Sequence, residues 1–141
     1  MAHQTIDELL GAARARLDRV DPAAAQREAA SGALIVDTRC GEARRKTGVI
    51  PGSVHVPLSV LFWRLDPTSG HDDRALSDPA RRVILVCADG YSSSLAAATL
   101  RDIGFARATD LDGGFTGWVA AGFAVERVHQ ESSNDGAADL D

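Results

Sequence analysis

The chain reads as one α/β domain in which a mainly parallel sheet is flanked by helices. Short, unbroken apolar runs, Ala33-Leu34-Ile35-Val36 and Val83-Ile84-Leu85-Val86, mark strands buried on both faces. Segments with apolar residues at helical spacing alternate with them. Strands separated by helices pair in parallel through crossovers. A chain of 141 residues is long enough for one domain with its own core.

Thr5 and Glu8 carry a capping-box signature, and Ile6, Leu9, Leu10, Ala13 and Leu17 follow at helical spacing. Residues 1–19 are therefore predicted to be an N-terminal helical extension, with Arg14, Arg16 and Arg19 on its solvated face. Asp21-Pro22 opens a second helix to about Ala30, because proline is tolerated at a first helical position. Residues 33–36 form a strand that runs into Asp37-Thr38-Arg39, and the polar stretch to Lys46 reads as loop plus a helical turn. Pro51-Gly52 signals a turn, and Ser53 to Val56 a short strand that Pro57 ends. Leu58, Leu61, Phe62 and Leu65 have helical spacing, and polar residues 66–78 read as a surface loop. After the strand at 83–86, Leu95, Ala96, Thr99, Leu100 and Ile103 describe a helix to about Asp102, with Gly104 as its stop. Ala108 to Leu111 is a last short strand, Gly113-Gly114 a turn, and Phe115 to Ala121 a short helix closed by Gly122. The tail, 128–141, has Glu131, Asp135, Asp139 and Asp141 and little apolar content, and is predicted to be disordered.

The most informative segment is Cys87-Ala88-Asp89-Gly90-Tyr91-Ser92-Ser93. It joins the carboxyl end of a buried strand to a helix N-terminus, where backbone N–H groups and the helix dipole favour an anion. A thiol in such a place tends to ionise. That suits a nucleophile, and equally a carrier of transferred, negatively charged sulfur. Ligands of parallel sheets bind beyond the carboxyl ends of the strands, and the Asp37-Thr38-Arg39 segment lies at another such end.

The net charge of −5 gives no basic footprint, which argues against nucleic acid as a partner. No apolar stretch approaches the ~20 residues of a membrane span, and the first residues lack a secretory-signal order. Two cysteines do not make a disulfide framework, so a reducing, cytoplasmic setting is expected. The four histidines have no metal-ligand spacing.

Over about positions 20–127 the residues resemble the rhodanese family of sulfurtransferases. Val36-Asp37-Thr38-Arg39 is similar to that family's first core strand with its Asp-x-Arg ending. Gly48-Val49-Ile50-Pro51-Gly52-Ser53 is similar to its Gly-His-Ile-Pro-Gly-Ala turn, Val83 to Ser93 to its active-site strand and loop, and Gly113 to Gly122 to its closing Gly-Gly…Trp…Gly segment. The resemblance implies a rhodanese-like three-layer fold, with a mainly parallel central sheet flanked by helices. It implies Cys87 as nucleophile and persulfide carrier, stabilised by the N–H groups of residues 88–93. Ala88, Asp89, Gly90, Tyr91, Ser92, Ser93 and Arg39 become the candidate substrate-binding residues. The implied partners are a small sulfur donor, such as thiosulfate, or a protein persulfide, and a thiol acceptor. No metal or organic cofactor is implied. Oligomeric state stays open.

The loop departs from the family pattern. Many single-domain relatives have arginine where this chain has Ser92, and others have threonine, which Ser92 imitates as a hydroxyl donor. Ala88 and Asp89 stand where thiosulfate users are often basic, so affinity for a dianion is expected to be weak unless Arg39, Arg44, Arg45 or Arg64 reaches the pocket. Cysteine phosphatases of related architecture grip phosphate with an arginine in a Cys-x5-Arg loop; here that position is Ser93, which argues against phosphatase chemistry. A catalytically weak binding or regulatory module of the same fold is the alternative. At single residues, a structural reading stands beside the functional one. Cys87 can be a small buried apolar residue, and Cys40 a structural thiol. Tyr91 lines the pocket or shields the loop. Ser92 and Ser93 are site donors or helix caps. Asp37 and Arg39 form a structural ion pair or bind substrate.

Overall fold

Four strands, β1 (Leu34–Asp37), β2 (Val54–His55), β3 (Val83–Val86) and β4 (Ala108–Asp110), form a parallel sheet in the order β2-β1-β3-β4. The computed structural model describes residues 3–128. The predicted tail lies outside the described residues except for its first position. Among the described residues, six α-helices surround the sheet: α1 (Ile6–Ala15), α2 (Pro22–Ala30), α3 (Gly41–Thr47), α4 (Leu61–Leu65), α5 (Ser92–Asp102) and α6 (Gly114–Ala120).

The two-residue period of a strand divides the apolar runs between two cores. Leu34, Val36, Val83 and Leu85 pack with Leu61, Leu65, Ala97, Leu100 and Phe105, under α4 and α5. Ile35, Ile84 and Val86 pack with Val20, Ala25, Phe115 and Trp118, under α2 and α6. Every residue of β1 and β3 is buried, as the unbroken apolar runs predict, although Asp37 closes β1 with a charge. This is the expected three-layer α/β arrangement. It gathers the carboxyl ends of β1, β3 and β4 at one pole.

The helix starts follow local chemistry. At α1, Thr5 accepts from the Glu8 N–H while the Glu8 side chain accepts from the Thr5 N–H, so both halves of the capping box form. Asp21 caps α2 through the Ala24 N–H, with Pro22 as its first residue. Three segments differ from expectation. The polar stretch before Lys46 is a two-turn helix, α3, with no buried residue. The strand predicted at 53–56 is only Val54–His55. Residues 58–65 divide into a 3₁₀ turn, Leu58–Val60, and α4.

The N-terminal extension packs on α5 and buries Leu10 and Ala13, while Ile6 and Leu9 stay exposed. After α1 the chain becomes an extended strap along the β4 edge. Val20 bridges Leu111 in parallel, with the Val20 N–H donating to the Asp110 carbonyl and the Asp112 N–H to the Val20 carbonyl. Asp18 fastens the strap on one side through Arg82 and Arg101. The basic residues do not form the predicted solvated face. Arg16 is on the surface and pairs with Asp102, but Arg14 and Arg19 turn inward against the loop that follows β3.

Candidate active site

Cys87 follows β3 directly, and the next turn is shaped by its contact with the Gly113-Gly114 turn. Gly90 has φ +86°, and a Cβ there would lie 2.8 Å from the Gly113 nitrogen. Gly114 has φ +60°, and its Cβ would lie 2.6 Å from the Cys87 carbonyl oxygen and 2.7 Å from the Gly90 nitrogen. Neither position has room for a side chain, and both need a backbone region that favours glycine. The first amides of α6 hold the other side of the turn. The Phe115 N–H donates to the Cys87 carbonyl at 2.8 Å and the Thr116 N–H to the Ala88 carbonyl at 3.0 Å. Amides of the loop turn the opposite way, and the Gly90 and Ser93 N–H groups donate to Cys87 Sγ at 3.2 and 3.4 Å.

Gly114→Ala is therefore expected to displace the loop rather than a flexible side chain, because every close atom is backbone. Overpacking of this kind costs about 1–3 kcal/mol. Thermal unfolding should show a lower midpoint, and Cys87 alkylation should lose its advantage over a free thiol. An alanine variant with wild-type values for both would mean that the loop does not depend on this contact.

Cys87 is 6% exposed. Burial alone would push its thiol up, but hydrogen bonding with the Ser93 side chain and amide, the Ser92 side chain and the Gly90 amide outweighs burial, and the thiol lies below its ordinary value. The N-terminus of α5 acts in the same direction.

Behind the thiol lies a polar chain. Cys87 Sγ is 3.2 Å from Ser93 Oγ. The Ser93 and Ser94 hydroxyls donate to Asp110 Oδ2 at 2.7 and 2.8 Å. Asp110, at the end of β4, is fully buried, and Arg19 meets both its oxygens, Nε to Oδ1 at 2.9 Å and Nη2 to Oδ2 at 3.2 Å. Arg19 Nη2 and Arg14 Nη2 also both donate to the Gly90 carbonyl, at 3.0 and 2.6 Å.

The other predicted site residues divide into two groups. Ala88 and Asp89 are exposed, Tyr91 is exposed with the Arg14 guanidinium 5.4 Å from its ring centre, and Ser92 is half-buried as the first residue of α5. Tyr91, not Ser92 or Ser93, occupies the cap position, and it makes no side-chain cap bond. Of the loop residues, Gly90, Ser92 and Ser93 hydrogen-bond Sγ.

Arg39 is different. It is buried over the Phe115 ring, 3.9 Å from its centre, and donates to both Asp37 oxygens, Thr47 Oγ1 and the Gly48 carbonyl. Its guanidinium is held by the protein in an ion pair with Asp37. Arg44 also turns to Asp37, and Arg64 to the His71 carbonyl. Cys40 is exposed at the start of α3 and, like Cys87, is a free thiol. Asp110, Ser94, Arg14 and Arg19 were not legible as site residues. One signal pointed to Asp110: a carboxylate inside a predicted buried strand requires a partner.

Among the described residues no group of three or more His, Cys, Asp or Glu side chains is placed to hold a metal ion, and no helix is long and apolar enough to cross a membrane.

A family model, the Rhodanese-like domain, matches residues 21–121. The chain is 37% identical over 102 residues to the thiosulfate sulfurtransferase GlpE of Ectopseudomonas mendocina, covering 72% of this chain and 84% of that protein. It is 36% identical over 102 residues to GlpE of Pseudomonas savastanoi pv. phaseolicola, covering 72% and 87%. Among solved structures, a protein of unknown function from Rhodopseudomonas palustris, described as a possible tyrosine phosphatase, superposes with a TM-score of 0.81 at 29% identity, over 89% of this chain and 97% of that one. The thiosulfate sulfurtransferase of Pseudomonas aeruginosa superposes with a TM-score of 0.62 at 23% identity, over 79% of this chain and 19% of that one, a likeness of fold alone.

Proposed function

The chain belongs to the rhodanese-like domain family, and on that premise we propose that it moves sulfane sulfur from a donor to a thiol acceptor through a persulfide on Cys87. The observation that carries this reading is the buried Cys87 sulfur receiving the Gly90 and Ser93 N–H groups. The Cys87 thiolate attacks the outer sulfur of thiosulfate. A Cys87 S–S bond forms, the donor's S–S bond breaks, and the electron pair of that bond leaves with sulfite. The negative charge then sits on the outer sulfur of the persulfide. An acceptor thiolate attacks that sulfur, forms its own persulfide and returns the Cys87 thiolate. Charge and atoms balance in both steps without a redox partner. The loop amides stabilise the negative sulfur in each resting form. Two free thiols suit a reducing compartment such as the cytoplasm.

One observation favours the second reading, a domain that binds and turns over little. The stretch Cys87 to Ser93 contains no arginine, and its Asp89 is exposed. The same lack removes the bidentate grip on phosphate that a Cys-x5-Arg phosphatase uses.

Intact-mass measurement after incubation with thiosulfate, and separately with a protein persulfide, tests the proposal. The expected result is a gain of one sulfur atom that an added thiol removes. Uptake from the protein persulfide alone makes the domain a relay between proteins. No uptake from either donor overturns the sulfurtransferase reading and supports the binding module.

A further inference from the structure

The loop around Cys87 contains an aspartate and no cation, yet two guanidiniums reach it from outside the stretch that the family model matches. Arg14 lies at the end of α1 and Arg19 in the strap, both before residue 21. They converge on the Gly90 carbonyl, whose own N–H donates to Cys87 Sγ. Arg19 also brackets Asp110, which accepts from Ser93, the hydroxyl nearest the sulfur. We propose that Arg14 and Arg19 are positioning residues for Cys87, supplying from behind the loop the positive charge that its own sequence lacks. The inference rests on the reading of Cys87 as the reacting thiol.

The physical case turns on Asp110. A buried carboxylate one hydroxyl away from a sulfur anion opposes that anion in two ways. Its charge repels the thiolate, and it competes for the Ser93 proton that the thiolate needs as a donor. Arg19 cancels the first effect by pairing with both oxygens. It weakens the second by drawing lone-pair density away from Ser93, while Ser94 supplies a further donor to Asp110. The coupling is visible from the other side. Burial lowers the Arg19 guanidinium's hold on its proton, but Asp110, Asp112 and a Cys87 thiolate raise it by more. The strap is held firmly enough for this role, since Asp18 and Val20 anchor it on either side of Arg19.

Other charges at this pole do not replace the pair. Asp37, Arg39 and Arg44 are bound to one another, Asp89 is exposed, and Asp112 is a surface partner of Arg19. Tyr91 stacks with Arg14 and is exposed.

The test is the pH profile of iodoacetamide alkylation of the full chain, in a Cys40→Ser background so that Cys87 alone reports. Arg19→Met should move the midpoint up by about one unit, which is roughly tenfold slower alkylation at neutral pH. Asp110→Asn should move it down, because a neutral amide no longer repels the thiolate. Arg19→Lys should recover most of the loss, since it restores the charge without the fork. Shifts of opposite sign carry the proposal; a purely structural role would slow all three in the same direction, and that result, or unmoved midpoints, would overturn it. Arg14→Met, which strips no buried carboxylate of its partner, is the second probe should Arg19→Met fail to fold, and an upward shift or none decides in the same way. Sulfur uptake by the same proteins is scored separately. Shifted midpoints with no uptake by wild type would sink the sulfurtransferase reading and not this inference.

Discussion

Cys87→Ser is expected to abolish sulfur uptake, with a fall of at least ~10⁴-fold in transfer to an acceptor thiol. The reason lies in the element and not in the shape. A serine hydroxyl fits the same cavity and accepts the same Gly90 and Ser93 N–H groups, so the loop should keep its form and stability should change by less than about 1 kcal/mol. The hydroxyl does not ionise under the influence of those donors as a thiol does, and an oxygen–sulfur bond is not a stable store for a transferred sulfur. Cys40→Ser should leave uptake intact, because Cys40 sits exposed at the head of α3 and takes no part in the polar chain behind the loop. The two variants are compared by intact mass after donor treatment and by thiocyanate release to cyanide. Retained uptake in Cys87→Ser with loss in Cys40→Ser would reverse the assignment.

The sequence disclosed what local chemistry controls. β1 and β3 are legible because strands covered on both faces must be apolar throughout, and α1 and α2 because Thr5, Asp21 and Pro22 announce helix starts. The Cys87 loop is legible because a strand end, a glycine and a helix start follow in close order. What stayed hidden depends on contacts remote in the chain. α3 buries no side chain, so no apolar stripe reveals it; Arg44 and Thr47 instead tie it to Asp37 and Arg39. Arg14 and Arg19 look like the polar face of an amphipathic helix, yet the strap carries Arg19 off that helix to the end of β4. Their partners, Gly90 and Asp110, lie more than 70 residues away by number. No local pattern encodes such a pairing. A charged residue in an apolar strand, Asp110, was its one trace.

On the proposed sulfurtransferase reading, Arg39→Met should destabilise the fold by roughly 3 kcal/mol and leave the KM for a thiosulfate donor unchanged. Removing one partner of a buried ion pair costs about 3–5 kcal/mol because the other charge is left uncompensated. The lower end is expected here, since Arg44 still donates to Asp37 and methionine keeps an apolar stem against Phe115. The pH dependence gives the cause away. Burial pushes the Asp37 carboxyl up, but Arg39, through side chain and backbone, and Arg44 bring it below the ordinary carboxylate value. A carboxyl lowered in the folded state stabilises above its unfolded value, about 3.9, and that contribution is lost as pH falls through the folded value. The deficit of the variant relative to wild type should therefore be full near neutrality and narrow in acid below about pH 4, as measured by denaturant unfolding across pH. Steady-state kinetics at a temperature where the variant is folded separates the two roles of Arg39. An unchanged KM for thiosulfate identifies a clamp that fixes the end of β1 beside the Cys87 loop. A KM raised about tenfold, with stability untouched, would instead make Arg39 the cation that reads the donor.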